Sequence, residues 1–376
     1  MENLGMNAGF WRDKRVLVTG HTGFKGAWLS LWLAEMGADV MGFAQPPLSH
    51  PNLFDLAGVA GVIKSRIADI NNREALDSAL AAHRPEFIFH LAAQALVRAS
   101  YADPVSTFTV NVGGVVSLLD AIRRTPSVRA AVIVTSDKCY DNKEWVWGYR
   151  ENDALGGRDP YSASKGCAEI AARSMQMSFF KPYAAQGHDA RIATVRAGNV
   201  IGGGDWSQDR LVPDIVRGCL GESGLVHLRN PGAVRPWQHV LEPLAAYLAL
   251  AELLATGVDG IDESWNIGPD PSDNRAVLDV ARAIQAGLGV GEVVVQPQPS
   301  GPHEANLLTL DCTKAKARLG WKPRLAFNDC IGLTASWYSA WHQGADMAKL
   351  TREQIAVFQA RACASPEAEP MFQRSA

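Results

Sequence analysis

Val18-Thr19-Gly20-His21-Thr22-Gly23-Phe24-Lys25-Gly26 is the stretch on which the fold turns. Before it runs a short β-branched segment, Arg15–Val18. After it comes Gly26–Met36, where Trp28, Leu29, Leu31, Trp32, Leu33 and Met36 make a helix apolar nearly all round, hence buried. Glycines at a strand–helix junction let the chain turn tightly. They also let a pyrophosphate approach the free N–H groups and partial positive charge of the helix start. The stretch therefore predicts a dinucleotide site built from Gly20, Thr22, Gly23, Phe24, Lys25 and Gly26.

Working outward, strand and helix signals alternate. Asp39–Phe43 predicts a second strand, Arg66–Ala68 a third, Phe87–Leu91 a fourth, Ala130–Thr135 a fifth and Arg191–Arg196 a sixth that closes the series. Helices are expected from Asn71 or Asn72 to His83, over Val105–Arg124, and from Pro160. This pattern is an α/β fold, a doubly wound, Rossmann-like parallel sheet with its ligands beyond the carboxyl ends of the strands. After Asn199 glycine and proline rise, which predicts a smaller, loop-rich substrate-binding lobe. The expected division is 1–200 for the dinucleotide domain, rejoined by parts of 236–270, then 201–345 mainly for the lobe, with 361–376 a weakly ordered tail. After the second strand stands Phe43-Ala44-Gln45, without the acidic residue that often holds a ribose. No Lys or Arg lies between Ala44 and Ile63 to meet a 2′-phosphate, so NAD is preferred over NADP.

The 376 residues carry a net charge of −3 with no block of like charge, which offers nothing to nucleic acid or an anionic membrane. The six cysteines have no CxxC or zinc spacing, so no metal is expected and buried reduced thiols are. The N-terminus lacks a signal pattern, and Val240–Val258 is broken by Glu242, Pro243 and Glu252, so it reads as a core helix. A cytoplasmic location follows as the expectation.

Tyr161 and Lys165 lie four apart at a helix start, on one face. A neighbouring ammonium, together with the positive nicotinamide ring, favours phenolate, and the phenolate then accepts a proton from a sugar hydroxyl. Ser136, at the end of the fifth strand, is placed to hydrogen-bond the reacting oxygen. Alone, a Tyr and Lys so spaced are common by chance; behind a glycine loop and five strands they become a catalytic pair.

The glycine pattern, His90-Leu91-Ala92-Ala93-Gln94, the strand-end hydroxyl and YxxxK together resemble the extended short-chain dehydrogenase/reductase superfamily. The runs Ser136–Asn142, Glu144–Glu151, Asp159–Ser162, Arg196–Trp206 and Arg235–His239 look like its nucleotide-sugar 4,6-dehydratases, the CDP-glucose branch, over about residues 10 to 340. The resemblance implies a lyase with tightly bound NAD, regenerated each cycle. Tyr161 takes the O4 proton, water leaves across C5–C6, and hydride moves from C4 to C6. Thymidine-linked relatives carry Asp-Glu after the hydroxyl residue, whereas this chain has Asp137-Lys138. Lys138 would be the C5 base and Asp137 the C6 acid, roles that need buried groups. Cofactor contacts extend to Asp69, Ile70, Leu91, Ala92, Ala93, Asn111, Tyr161 and Lys165. Gln94, Asn199, Arg235 and Asn266 are expected at the substrate, with Arg210 and Arg229 as further phosphate candidates. Trp206, Trp237 and Trp265 are better read as core. Relatives pair through helices matching Val105–Arg124 and Pro160–Phe179, so a homodimer or homotetramer is expected. An epimerase, a decarboxylase, a dehydratase for another nucleotide sugar and a non-catalytic NAD-binding protein stay open beside this reading.

Overall fold

The computed structural model describes residues 8–228, 230–295 and 305–363. Its centre is a seven-stranded sheet of β1 (Arg15–Thr19), β2 (Asp39–Ala44), β3 (Lys64–Ile67), β4 (Phe87–His90), β5 (Ala130–Val134), β6 (Arg191–Ala197) and β7 (Ser264–Ile267). The spatial order is β7-β6-β5-β4-β1-β2-β3, and every pairing is parallel. Alternation along each strand feeds two cores. Val16, Val18, Phe87, Phe89 and Val132 face one layer; Leu17, Ile88, Ala131 and Ile133 face the other. The first layer holds α1 (Phe24–Glu35) and the helix Leu241–Thr256. The second holds α2 (Arg73–His83), α3 (Gly114–Ile122) and α4 (Pro160–Phe179). The order reverses between β1 and β4, and beyond the carboxyl ends of strands at such a point sheets of this kind bind their ligands.

The Asn72 side chain caps α2 by accepting from the Ala75 N–H at 3.0 Å. Asn72→Ala is therefore expected to lower stability by about 1 kcal/mol, read as a fall in the urea midpoint at unchanged slope.

The structure corrects several expectations. Arg191–Arg196 does not close the sheet: β7 pairs with β6 from Ser264↔Thr194 to Ile267↔Ala197. Four residues, two of them polar, are too short to show a period in sequence. The second half is not chiefly loop. Helices Leu211–Leu220, Val277–Leu288, Thr313–Leu319, Phe327–His342 and Met347–Cys363 carry it, with short strand pairs between. Residues 361–363 end the last helix, and the rest of the expected tail lies outside the described residues. Cys139, Cys219, Cys312 and Cys330 are buried as expected, but Cys167 is exposed on α4.

Candidate active site

The glycine turn is a backbone cradle. Gly20 sits at φ +77°, and a Cβ there would stand 2.7 Å from Leu91 C and Ala92 N. The register Thr19↔His90 brings the β1 and β4 loops together at that point. A Cβ on Gly26 would meet the Gly20 carbonyl at 2.1 Å. Gly23 offers α1 no side-chain cap, so donors at the helix start remain available to an anion. At the end of β2, the Thr22 hydroxyl donates to Gln45 O at 2.8 Å, and Gln45 Nε2 donates to Asp69 Oδ2 at 2.6 Å. Ile70 is buried beside them.

Behind this cradle Asn111 lies in a π-turn, Thr109–Gly113. Its Oδ1 accepts from Gln94 N at 2.9 Å, and its Nδ2 donates to Gln94 O at 3.0 Å and Ser164 Oγ at 2.9 Å. The Gln94 amide donates to Thr107 and accepts from Leu96 N. Both side chains, expected at ligands, tie the Leu91–Gln94 loop to the helices behind it; Asn111 is 2% exposed, and a buried amide needs such partners.

Ser136 ends the β5 segment and opens a single helical turn, Asp137–Cys139. Its hydroxyl donates to Asp137 Oδ1 at 3.1 Å and accepts from Lys138 N at 3.2 Å. Asp159 caps α4 by accepting from Ser162 N at 2.9 Å, with Pro160 in the first turn. Tyr161 and Lys165 follow on one face, 8% and 5% exposed. Burial raises the Tyr161 phenol above its ordinary value; the Ser136 hydroxyl and Arg210 oppose this, while Asp137 and Asp159 add to it. Lys165 was expected to lower that phenol, but in the protein alone burial prevails and the opposing groups are Ser136 and Arg210. Burial brings the Lys165 ammonium down to about 8, opposed by Glu169 and Cys139. Asp137 is 3% exposed, and its Oδ2 has no partner among the described residues. That oxygen faces Gly198, where a Cβ would approach to 2.1 Å. Lys138 is half-buried.

Lys25 does more than complete the glycine loop. Burial lowers it to about 7; Arg210 and Lys165 lower it further, and Asp137 and Asp205 oppose.

Of the expected substrate residues, Asn199 holds a left-handed φ of 41° next to Gly198. Arg210 bridges Asp205 Oδ2 and Ala95 O, both at 3.4 Å. The Arg235 guanidinium donates to the carbonyls of Val234, Ala305 and Asn306, so it pins that segment. Asn266 is 0% exposed, accepts from Tyr140 OH at 2.7 Å and donates to Tyr149 O and Asp311 O. Arg229 lies outside the described residues. Trp206, Trp237 and Trp265 are all buried.

Sequence reasoning missed a buried ionic hub. Glu169, one turn beyond Lys165, pairs with Arg196 at 2.8 Å, their side chains 1% and 3% exposed. Two charged residues inside apolar runs, GCAEIAA and RIATVRA, were the available signal.

Against known proteins, the family model for GDP-mannose 4,6 dehydratase matches residues 17–334. A CDP-glucose 4,6-dehydratase of Salmonella typhimurium is 47% identical over 92% of this chain and 96% of its own length. A dTDP-glucose 4,6-dehydratase of Xanthomonas campestris pv. campestris is 26% identical over 87% of this chain and 95% of its own. Among solved structures, a UDP-glucose 4-epimerase from Stenotrophomonas maltophila, with bound NAD and formylated UDP-arabinopyranose, superposes with a TM-score of 0.75 at 24% identity. It covers 88% of this chain and 100% of its own, a likeness of fold.

Proposed function

The chain belongs to the GDP-mannose 4,6 dehydratase family of extended short-chain dehydrogenase/reductases, and from that membership we propose that it dehydrates CDP-glucose to CDP-4-keto-6-deoxyglucose with NAD. The observation that carries the proposal is one rim of the sheet. The Ser136-Asp137-Lys138 turn follows β5, the Tyr161–Lys165 pair opens α4 and the glycine cradle follows β1, all at the carboxyl ends of one parallel sheet. The identity to a CDP-glucose enzyme supports cytidine as the base, as does Asp137-Lys138 in place of Asp-Glu.

The residues fit NAD. A Cβ at position 20 or 26 would fill the cradle, uncapped N–H groups begin α1, and Gln45 with Asp69 stands at the ribose end. When bound, NAD supplies a hydride acceptor for C4 and a hydride donor for C6, and leaves the cycle as it entered. Everything else is proton handling by side chains. Tyr161 takes the O4 proton while the Ser136 hydroxyl hydrogen-bonds the same oxygen. The 4-ketone acidifies C5–H, and Lys138 removes that proton. Asp137, sheltered from water with one oxygen unpartnered, delivers a proton to the departing C6 hydroxyl. Asn199, Arg210 and Lys25 border the sugar and its diphosphate, and Arg235 shapes the segment 305–306 beside them.

Apolar side chains stand exposed on the two helical stretches that would pair subunits. They are Val105 at 75% and Val116 at 37% on one, and Ile170 at 58% and Met177 at 52% on the other. The stretch Pro104–Ile122 is apolar and long enough to cross a membrane, but 44% of it is buried in this fold. A second copy covering the remainder accounts for the pattern, and fits a cytoplasmic homo-oligomer.

CDP-glucose deuterated at C4 tests the reaction. The label is expected at C6 of the product with no external redox partner added. Label lost to solvent, or no dehydrated product, overturns the proposal.

A further inference from the structure

We infer that Glu169 is a positioning residue for this reaction, its carboxylate fixed one helical turn beyond Lys165 so as to hold that lysine in its ammonium form. The inference rests on the reading of Lys165 above and extends the catalytic unit by one buried residue.

Glu169 is 2% exposed and Lys165 5%, both on the sheet-facing side of α4. The carboxylate cannot swing away, because three successive parts of the sheet hold it. Oε2 accepts from Thr194 Oγ1 at 2.7 Å and Arg196 Nη2 at 2.8 Å on β6, and from Ser264 Oγ at 3.1 Å on β7. Oε1 accepts from Thr135 Oγ1 just after β5. Burial alone pushes Glu169 up, but the Arg196 charge and the hydrogen bonds from Arg196, Thr135 and Thr194 together bring it below its ordinary value. The group is therefore a fixed negative charge in a dry interior.

Few other charges face the ammonium. Cys139, on the turn after β5, is a neutral thiol pushed well up by burial. His90, at the end of β4, is brought down to about 3 by burial and is neutral. Lys25, on the glycine loop, opposes the ammonium. Arg196 faces the carboxylate from the other side and extends away, donating to Tyr140 OH at 2.7 Å and Glu151 O at 3.0 Å. Glu169 is thus the group that keeps Lys165 charged near neutrality, against burial and against Lys25.

The test uses Glu169→Gln, Glu169→Asp, Arg196→Gln and the paired Glu169→Gln/Arg196→Gln. The last leaves no unpaired buried arginine if the single variant fails to fold. Two readouts are taken: the alkaline limb of turnover on CDP-glucose, and the titration of Lys165 by NMR in protein carrying 13Cε-lysine. Removing a negative neighbour favours the neutral amine. Both are expected to move down by about one pH unit in Glu169→Gln against the parent, and in Glu169→Gln/Arg196→Gln against Arg196→Gln, where the loss of the Arg196 charge is common to both, while Glu169→Asp keeps the parent position. A folded Glu169→Gln whose Lys165 titrates with the parent, or a folded Glu169→Gln/Arg196→Gln whose Lys165 titrates with Arg196→Gln, overturns the inference. Wild-type turnover tests the proposed reaction separately, and the NMR titration needs no turnover, so the two readings fail independently.

Discussion

Replacing Tyr161 with Phe is expected to cut turnover of CDP-glucose by about three orders of magnitude, the range that general acid–base groups contribute, at an almost unchanged melting temperature. Only the hydroxyl is removed. The ring stays packed where the residue is 8% exposed, at the start of a helix capped by Asp159 and anchored through the Tyr161 N–H to Ser100 Oγ at 3.1 Å. The phenol is the group that the site must work to ionise, because burial, Asp137 and Asp159 all favour its protonated form. The Ser136 hydroxyl and Arg210 oppose them, so Ser136→Ala is expected to slow the same step in the same direction by a smaller factor. The measurement is kcat at saturating CDP-glucose, with NAD affinity as control. A Tyr161→Phe enzyme that keeps more than about a tenth of parental kcat would assign the proton transfer to another group.

The parts of this picture legible in sequence were those that a short pattern forces. A turn with glycine at 20 and 26 admits no Cβ, and that constraint is local, so nine residues announced the cradle and the parallel sheet around it. Asn72 likewise capped the helix it was read to cap. The parts that failed depend on partners far along the chain. Asn266 sits in a four-residue strand whose place at the sheet edge is set by pairing with β6, some seventy residues away. Which way its amide points is decided by Tyr140, Tyr149 and Asp311, all distant from it in sequence. The Glu169–Arg196 pair has the same origin. Each residue looks like an isolated charge in an apolar run, and its meaning appears only when α4 is laid on β6. The helices of the second half were obscured because the glycine- and proline-rich joints between them dominate the composition there.

Gly198 offers a sharper probe of the elimination step than any change to Asp137 itself. The glycine follows β6, and its own φ lies outside the left-handed region, so alanine is compatible with the backbone. What alanine meets is the carboxyl: its Cβ would stand 2.1 Å from Asp137 Oδ2 and 2.5 Å from Cγ. Asp137 is 3% exposed and its other oxygen accepts from Ser136 Oγ, so the carboxyl must move and the Ser136 contact with it. Displacing a catalytic group by about 1 Å costs on the order of a hundredfold. Gly198→Ala is therefore expected to slow loss of water by about that factor, and C4 oxidation, which keeps Tyr161 and Lys165 but feels the shift of Ser136, by a smaller one. Mass spectrometry of the quenched reaction separates the two steps, because the 4-ketoglucose nucleotide has lost two hydrogens and the final product has lost water. Accumulation of the first species in the alanine variant is the expected result. Dehydration at the parental rate would remove Asp137 from the C6 step, since no arrangement that keeps its carboxyl in place leaves room for the added methyl group.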